Sequence, residues 1–141
     1  IMHDIILKAI NLKVEICKND LHDNSISNNI KLELPREHLN FGHTIGHIIE
    51  YSSKLPHGYA VSLGMIYELK LQSNQEITQK LEHCLTKYGL PTVLNKNINK
   101  EDIIHYFNND KKDGRIVLLN KIGNSYSQKF DISNIINIIN I

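Results

Sequence analysis

The sequence predicts a mostly α fold: a multi-helical domain with one small β-hairpin. Three observations predict it. Apolar residues recur at spacings of three and four through most of the chain, the period of a helix with one buried face. The runs end in helix stop signals, of which Tyr88-Gly89-Leu90-Pro91 is the plainest. Only residues 115–130 switch to a β-rich run, a Gly123-Asn124 turn and an alternating polar run.

Residues 1–18 read as a helix, with Met2, Ile5, Ile6, Ala9, Ile10 and Cys17 at helical spacing and Leu12 and Ile16 widening the stripe. By spacing alone Lys13 is a solvated lysine. Residues 19–35 are rich in Asn, Asp and Ser without period, a loop in which IKLEL is a short extended piece ending at Pro35. Glu33 and Arg36 close this loop and by default form a surface ion pair worth little. Residues 40–53 form a helix with Asn40 or Thr44 near its start and Ile45, Ile48, Ile49 and Tyr51 as bulk. Residues 58–73 form the next, with Val61, Leu63, Met65, Leu69 and Leu71 apolar and Gly64 marking a close helix crossing.

Residues 75–88 make a further helix with Ile77, Leu81, Cys84, Leu85 and Tyr88 on one face, and His83 beside it at the surface. Asn99 caps a short helix through Phe107, with Ile103 and Ile104 inward. NNDKKDG at 108–114 is a turn carrying Lys111 and Lys112; Asp131 or Ser133 caps the last helix after the hairpin.

The chain has 141 residues, one domain's worth, and a formal net charge of +1. It shows no basic stripe interleaved with aromatics, which argues against nucleic acid. No apolar run approaches membrane-spanning length. Cys17 and Cys84 are isolated and read as reduced core cysteines, as in a cytoplasmic protein. The chain opens at Ile1 within a helical pattern, so we expect a piece of a longer protein.

The chemistry concentrates between Arg36 and Met65. His43 and His47 are four apart, so a helix sets both imidazoles on one face, followed there by Glu50. The spacing invites comparison with HExxH zinc helices, but Thr44 stands where that mechanism keeps its glutamate base. An isolated HxxxH is more often structural than functional. The addition of His57, with Arg36, Asn40 and nearby lysines, suits a metal ion together with an anionic or phosphate ligand. Arg36 offers a planar fork for carboxylate or phosphate, and Asn40 can bond a hydroxyl.

The pattern RxxLNFGHTxGHxxE followed by HGxAVxxGM resembles the 3-dehydroquinate synthase family. The matching residues are Arg36, Leu39 to Thr44, Gly46, His47 and Glu50, then His57, Gly58, Ala60, Val61, Gly64 and Met65. LKVEI around Lys13, DKKDG at 110–114 and the hairpin reaching Ile122-Gly123 follow in the family's order. The resemblance implies that 1–141 is the α-helical, metal- and substrate-binding C-terminal domain, with an N-terminal NAD-binding domain outside this chain. It implies conversion of 3-deoxy-D-arabino-heptulosonate 7-phosphate to 3-dehydroquinate with loss of phosphate in the shikimate pathway, as a homodimer. His43 and His57 are then ligands of Zn2+ (or Co2+), with His43 also at the substrate, and His47 a proton-transfer group near the phosphate. Lys13, Arg36, Asn40 and one of Lys111 and Lys112 are substrate contacts, and Glu33 stands one position from the family's acid. The family's remaining metal ligand is a glutamate preceding this segment, and Tyr59 replaces the glutamate of HGE. Two other readings go with these departures: a related sugar-phosphate cyclase making 2-deoxy-scyllo-inosose or valiolone-type rings, or a non-catalytic helical module.

Overall fold

A computed structural model describes residues 2–18, 35–109 and 114–140. Among them are six α-helices and one two-stranded antiparallel sheet, the mostly α fold with a small hairpin that the sequence predicts. The chain divides into two compact units, residues 1–39 and 40–141. The first holds α1 (Met2–Lys18) and most of a 3₁₀ turn, Arg36–Asn40. In α1 Ile16 is buried, whereas Met2, Ile5, Ile6, Ile10 and Leu12 of the periodic stripe are exposed. The IKLEL piece and Glu33 lie outside the described residues, as do Lys111 and Lys112.

The second unit is built around α3 (His57–Leu71), which packs on α2 (His43–Ser53), α4 (Gln75–Lys87), β1 (Arg115–Lys121) and α6 (Ile132–Ile139). Its run HGYAVSLGMIYELKL is apolar on every side, and a helix apolar all round is a central one. Ala60 to Gly64 and Ile66 to Leu69 are all buried. Ile45, Ile48 and Ile49 of α2, Ile103 of α5 (Lys100–Asn109), Ile116 and Leu118 of β1, and Ile135 and Ile139 of α6 complete the core.

The crossing of α2 and α3 is as close as Gly64 predicts. A side chain at Gly46 would meet the α3 backbone at Val61 and Ala60, 3.1 and 3.2 Å away. At Gly42 it would meet the Val61 carbonyl oxygen at 2.9 Å. With three glycines at the contact, backbone packs on backbone and no intervening side chain holds the helices apart.

The outer helices α4 and α5 depart from the periodic reading where their neighbours cover only part of the apolar stripe. In α4 Ile77 and Leu85 are buried, but Cys84 and Tyr88, expected on the same face, are exposed. The helix packs chiefly on α3, so its covered stripe is narrow. In α5 Ile103 is fully buried and Ile104 is exposed, a correction of the same kind. The Asn74 side chain accepts from the Ile77 N–H, and the Asn99 side chain from the Glu101 N–H, at the starts of α4 and α5. At the end of α4 the Leu90 N–H bonds the Leu85 carbonyl and the Gly89 N–H the Thr86 carbonyl, with Gly89 at φ 70°. This is a Schellman cap. Open space surrounds Gly89, so Gly89→Ala should cost only the left-handed strain, about 1 kcal/mol. Urea unfolding measures it.

The hairpin pairs β1 with β2 (Asn124–Lys129), Leu118 facing Tyr126 and Val117 facing Ser127. The turn is Ile122-Gly123, one residue earlier than Gly123-Asn124, because the register shifts between Leu119 and Lys121 and Lys121 pairs with Asn124. Two side chains tie the helical layer to β1: Thr44 Oγ1 donates to the Arg115 carbonyl at 3.2 Å, and Gln72 Nε2 to the Leu119 carbonyl at 2.9 Å. Asp131 is the N-cap of α6, its N–H bonded to Asn134 Oδ1 at 3.2 Å. Among the described residues no helix is long and apolar enough to cross a membrane.

Candidate metal centre

The turn Phe41-Gly42 separates the 3₁₀ turn from α2, so the histidine helix starts at His43, later than Asn40. Gly42 is its N-cap, in the left-handed region at φ 79°. His43 therefore sits in the first turn and His47 in the second, on one face. α2 ends at Ser53, and the link 54–56 turns the chain through Lys54 at φ 58°. This short link returns His57, the first residue of α3, to the side of α2 that carries His43, His47 and Glu50.

The three imidazoles form a near-equilateral triangle. Ring centroids lie 5.5 Å apart for His43–His47, 5.5 Å for His43–His57 and 5.7 Å for His47–His57. A tetrahedral cation about 2.1 Å from each imidazole nitrogen would space ring centroids roughly 5 Å apart. The three ring spacings are close to that value.

Two hydrogen bonds orient the rings. His57 Nδ1 lies 2.9 Å from Glu50 Oε2, and His43 Nδ1 lies 3.1 Å from the Phe41 carbonyl oxygen. Both acceptors lack hydrogens, so both Nδ1 atoms donate, and Nε2 is the nitrogen that keeps the lone pair a metal would need. A carboxylate or carbonyl behind a histidine is the usual support of a ligating imidazole. By ligand atoms the group is a different one: those of His47, Glu50 and His57 lie within 4.8 Å of one another, with Glu50 in place of His43. Glu50 is also the partner of His57 Nδ1, the position of a carboxylate that supports an imidazole from behind.

Glu50 and His57 are partly open to water, with side chains 37% and 54% exposed. The His57 hydrogen bond above all holds the Glu50 carboxyl below its usual value; burial opposes it less strongly, and the charges of His57, His47 and His43 add lesser lowering effects. A depressed carboxyl favours the fold above its unfolded value, and that contribution fades as pH falls through the lowered one. Beyond His47 the surface is aromatic: Tyr106 lies 6.1 Å from the His47 ring, Tyr51 stacks on His105 at 6.1 Å, and Lys54 Nζ sits 4.8 Å from the Tyr51 ring centre.

Of the residues singled out from the sequence, the structure brings together His43, His47 and His57. Asn40 ends the 3₁₀ turn three residues before His43. Lys13, exposed on α1, and Arg36, at the start of the 3₁₀ turn, belong to the first unit. Sequence reasoning missed Tyr106 and Glu68. Glu68 is fully buried in α3, and its carboxylate accepts from the N–H groups of Gly42, Thr44 and Ile45. A signal existed: an acid inside a helix apolar on all sides must find buried donors.

The family model described as 3-dehydroquinate synthase C-terminal matches residues 1–113. A 3-dehydroquinate synthase of Staphylococcus haemolyticus is 32% identical over 126 residues, covering 84% of this chain and 33% of the relative. One from Staphylococcus aureus is 32% identical over 139 residues, covering 92% and 36%. One from Thermodesulfovibrio yellowstonii is 35% identical over 122 residues, covering 80% and 31%. The chain thus spans about a third of the length of the curated relatives it matches.

Proposed function

Because this chain belongs to the 3-dehydroquinate synthase C-terminal family, we propose that it is the metal- and substrate-binding part of such a synthase. The reaction is conversion of 3-deoxy-D-arabino-heptulosonate 7-phosphate to 3-dehydroquinate with release of phosphate, a carbon–oxygen lyase step of the shikimate pathway. One observation carries the reading: three imidazoles from two consecutive helices converge, with two of them oriented through Nδ1.

In this reading His43 and His57 hold Zn2+ (or Co2+) through Nε2, and a glutamate from sequence outside the chain completes the set. A bound dication supplies Lewis acidity at the substrate hydroxyl that is oxidised. Transient oxidation and its reversal are the chemistry NAD supplies when bound, and its pocket is assigned to an N-terminal domain outside this chain. His47, on the same helix face as His43, carries a proton at the departing phosphate. Asn40 bonds a substrate hydroxyl. Lys13, Arg36 and one of Lys111 and Lys112 hold phosphate and carboxylate groups, and Glu33 is the candidate base of the loop before Arg36. The working protein is a cytoplasmic homodimer.

Residues 1–141 alone should give no turnover, since this reading assigns both NAD and the glutamate ligand to sequence outside them. NAD-dependent phosphate release from the heptulosonate by this chain alone would refute the two-part reading. The full-length protein tests the substrate: it should release phosphate from the heptulosonate 7-phosphate and not from glucose 6-phosphate or sedoheptulose 7-phosphate. The opposite preference would make it a related cyclase, and no activity on any of them a non-catalytic module.

A further inference from the structure

We propose that Glu68 is a positioning residue for the candidate metal centre, orienting His43 through a single peptide group. It rests on the metal reading only for the purpose the oriented ring serves.

The amino end of α2 needs an outside acceptor. Its N-cap is Gly42, which has no side chain to accept from the first N–H groups. That end is packed against α3, with Gly42, Thr44 and Ile45 all buried. Glu68 fills the role from the neighbouring helix. Its Oε2 accepts from the Gly42 N–H at 2.6 Å, and its Oε1 from the Thr44 N–H at 3.1 Å and the Ile45 N–H at 3.2 Å. A carboxylate is also the favoured charge at a helix amino end. Glu68 lies one turn after Gly64, so the α3 face that admits the α2 backbone also carries its cap.

The Gly42 N–H and the Phe41 carbonyl are the two ends of one peptide plane. That peptide is trans, so its N–H and C=O point in opposite directions. The N–H end is fixed by Glu68, and the carbonyl end accepts from His43 Nδ1 at 3.1 Å. The buried carboxylate thus sets the tilt of a rigid plate whose far edge holds the proton on His43 Nδ1 and so leaves the lone pair on Nε2. Loss of the Oε2 contact frees the plate to rotate even where the helix persists.

Glu68→Gln separates these roles. The amide oxygen is best used facing the two donors, Thr44 and Ile45, which leaves the NH2 group against the Gly42 N–H. The cap then survives and the peptide plane loses its anchor. Nitrogen-15 NMR of the histidine rings in the metal-free protein reads the result. In the wild type His43 should be held as the Nδ1–H tautomer; in Glu68→Gln it should become a mixture, and in Glu68→Ala, if that variant folds, the Thr44 and Ile45 amides should also lose exchange protection. Ile66→Val, which loosens α3 without touching the carboxylate, should leave the tautomer unchanged. An unchanged His43 tautomer in Glu68→Gln, or the same change in Ile66→Val, overturns the proposal. Co2+ titration of the same samples should show affinity about tenfold weaker in Glu68→Gln, the size of a lost supporting contact. A wild type that binds no Co2+ sinks the metal reading, while the metal-free spectra still decide the role of Glu68.

Discussion

Gly64→Ala should lower the melting temperature by about 10 °C or more. The added methyl would fall inside contact distance of the Gly42 carbonyl oxygen, 2.6 Å from the Gly46 nitrogen and 2.8 Å from the Gly46 Cα. All three are backbone atoms, so no side chain can swing aside. The helices must separate, and that movement strains the Glu68 cap and the Thr44–Arg115 bond together. Overpacking a core costs roughly 1–3 kcal/mol when side chains can adjust, and more is expected here. Against it stands a helix-propensity gain of about 1 kcal/mol for alanine over glycine. The net loss, about 3 kcal/mol, is a large part of a typical domain stability of roughly 5–15 kcal/mol. Gly58→Ala is the control: it lies in the first turn of the same helix with nothing within 4 Å of the added methyl, so it should keep or slightly raise the melting temperature. Melting of Gly64→Ala within about 2 °C of the wild type would mean that the helices do not touch backbone to backbone.

Gly64 also marks how far the sequence alone reaches. One glycine in an apolar helical run already implies a close crossing, because helix propensity disfavours it unless something needs the space. Helix existence follows from periodicity, and the α4 end from a stop signal with a local physical cause, the αL preference of Gly89. What escapes is set by neighbours. Cys84 and Ile104 sit in correct helices and Tyr88 is the C-cap of α4, but all three face solvent, since the neighbours of each helix cover only part of its apolar stripe. The hairpin turn is displaced by one residue through a register shift that no local preference announces. At the site, the His43–His47 pair and its extension to Glu50 are legible from helical spacing. The pairing of His57 with Glu50 depends on the path of residues 54–56. The cap from Glu68 spans a separation of 26 residues from Gly42 and exists only once α2 and α3 cross.

That crossing also makes the metal reading separable from stability. His57 is exposed at the first position of α3, and its bond to Glu50 is open to water. Surface pairs of this kind contribute roughly 0–1 kcal/mol, so His57→Ala should unfold with nearly the wild-type midpoint. Its effect belongs in metal affinity. A lost ligand removes a coordinate bond, whereas a lost supporting contact costs about 10–100-fold. His57→Ala and His43→Ala should each weaken Co2+ binding at least about 100-fold, read from the visible absorption of the bound ion. Glu50→Gln should fall in the range of about 10–100-fold, since Gln still accepts from His57 Nδ1 but without charge. His47→Ala is the discriminating variant. As a proton carrier beside the ion, it should change affinity by less than about tenfold; as a ligand grouped with Glu50 and His57, it should match His57→Ala, and Glu50→Gln should match it too. Neutral imidazole is the ligating form, so binding should weaken on acidification in the wild type, and less steeply in either ligand variant, which has one proton fewer to release. Co2+ affinity within about threefold of the wild type in both His43→Ala and His57→Ala would leave the triangle of rings without a metal to explain it.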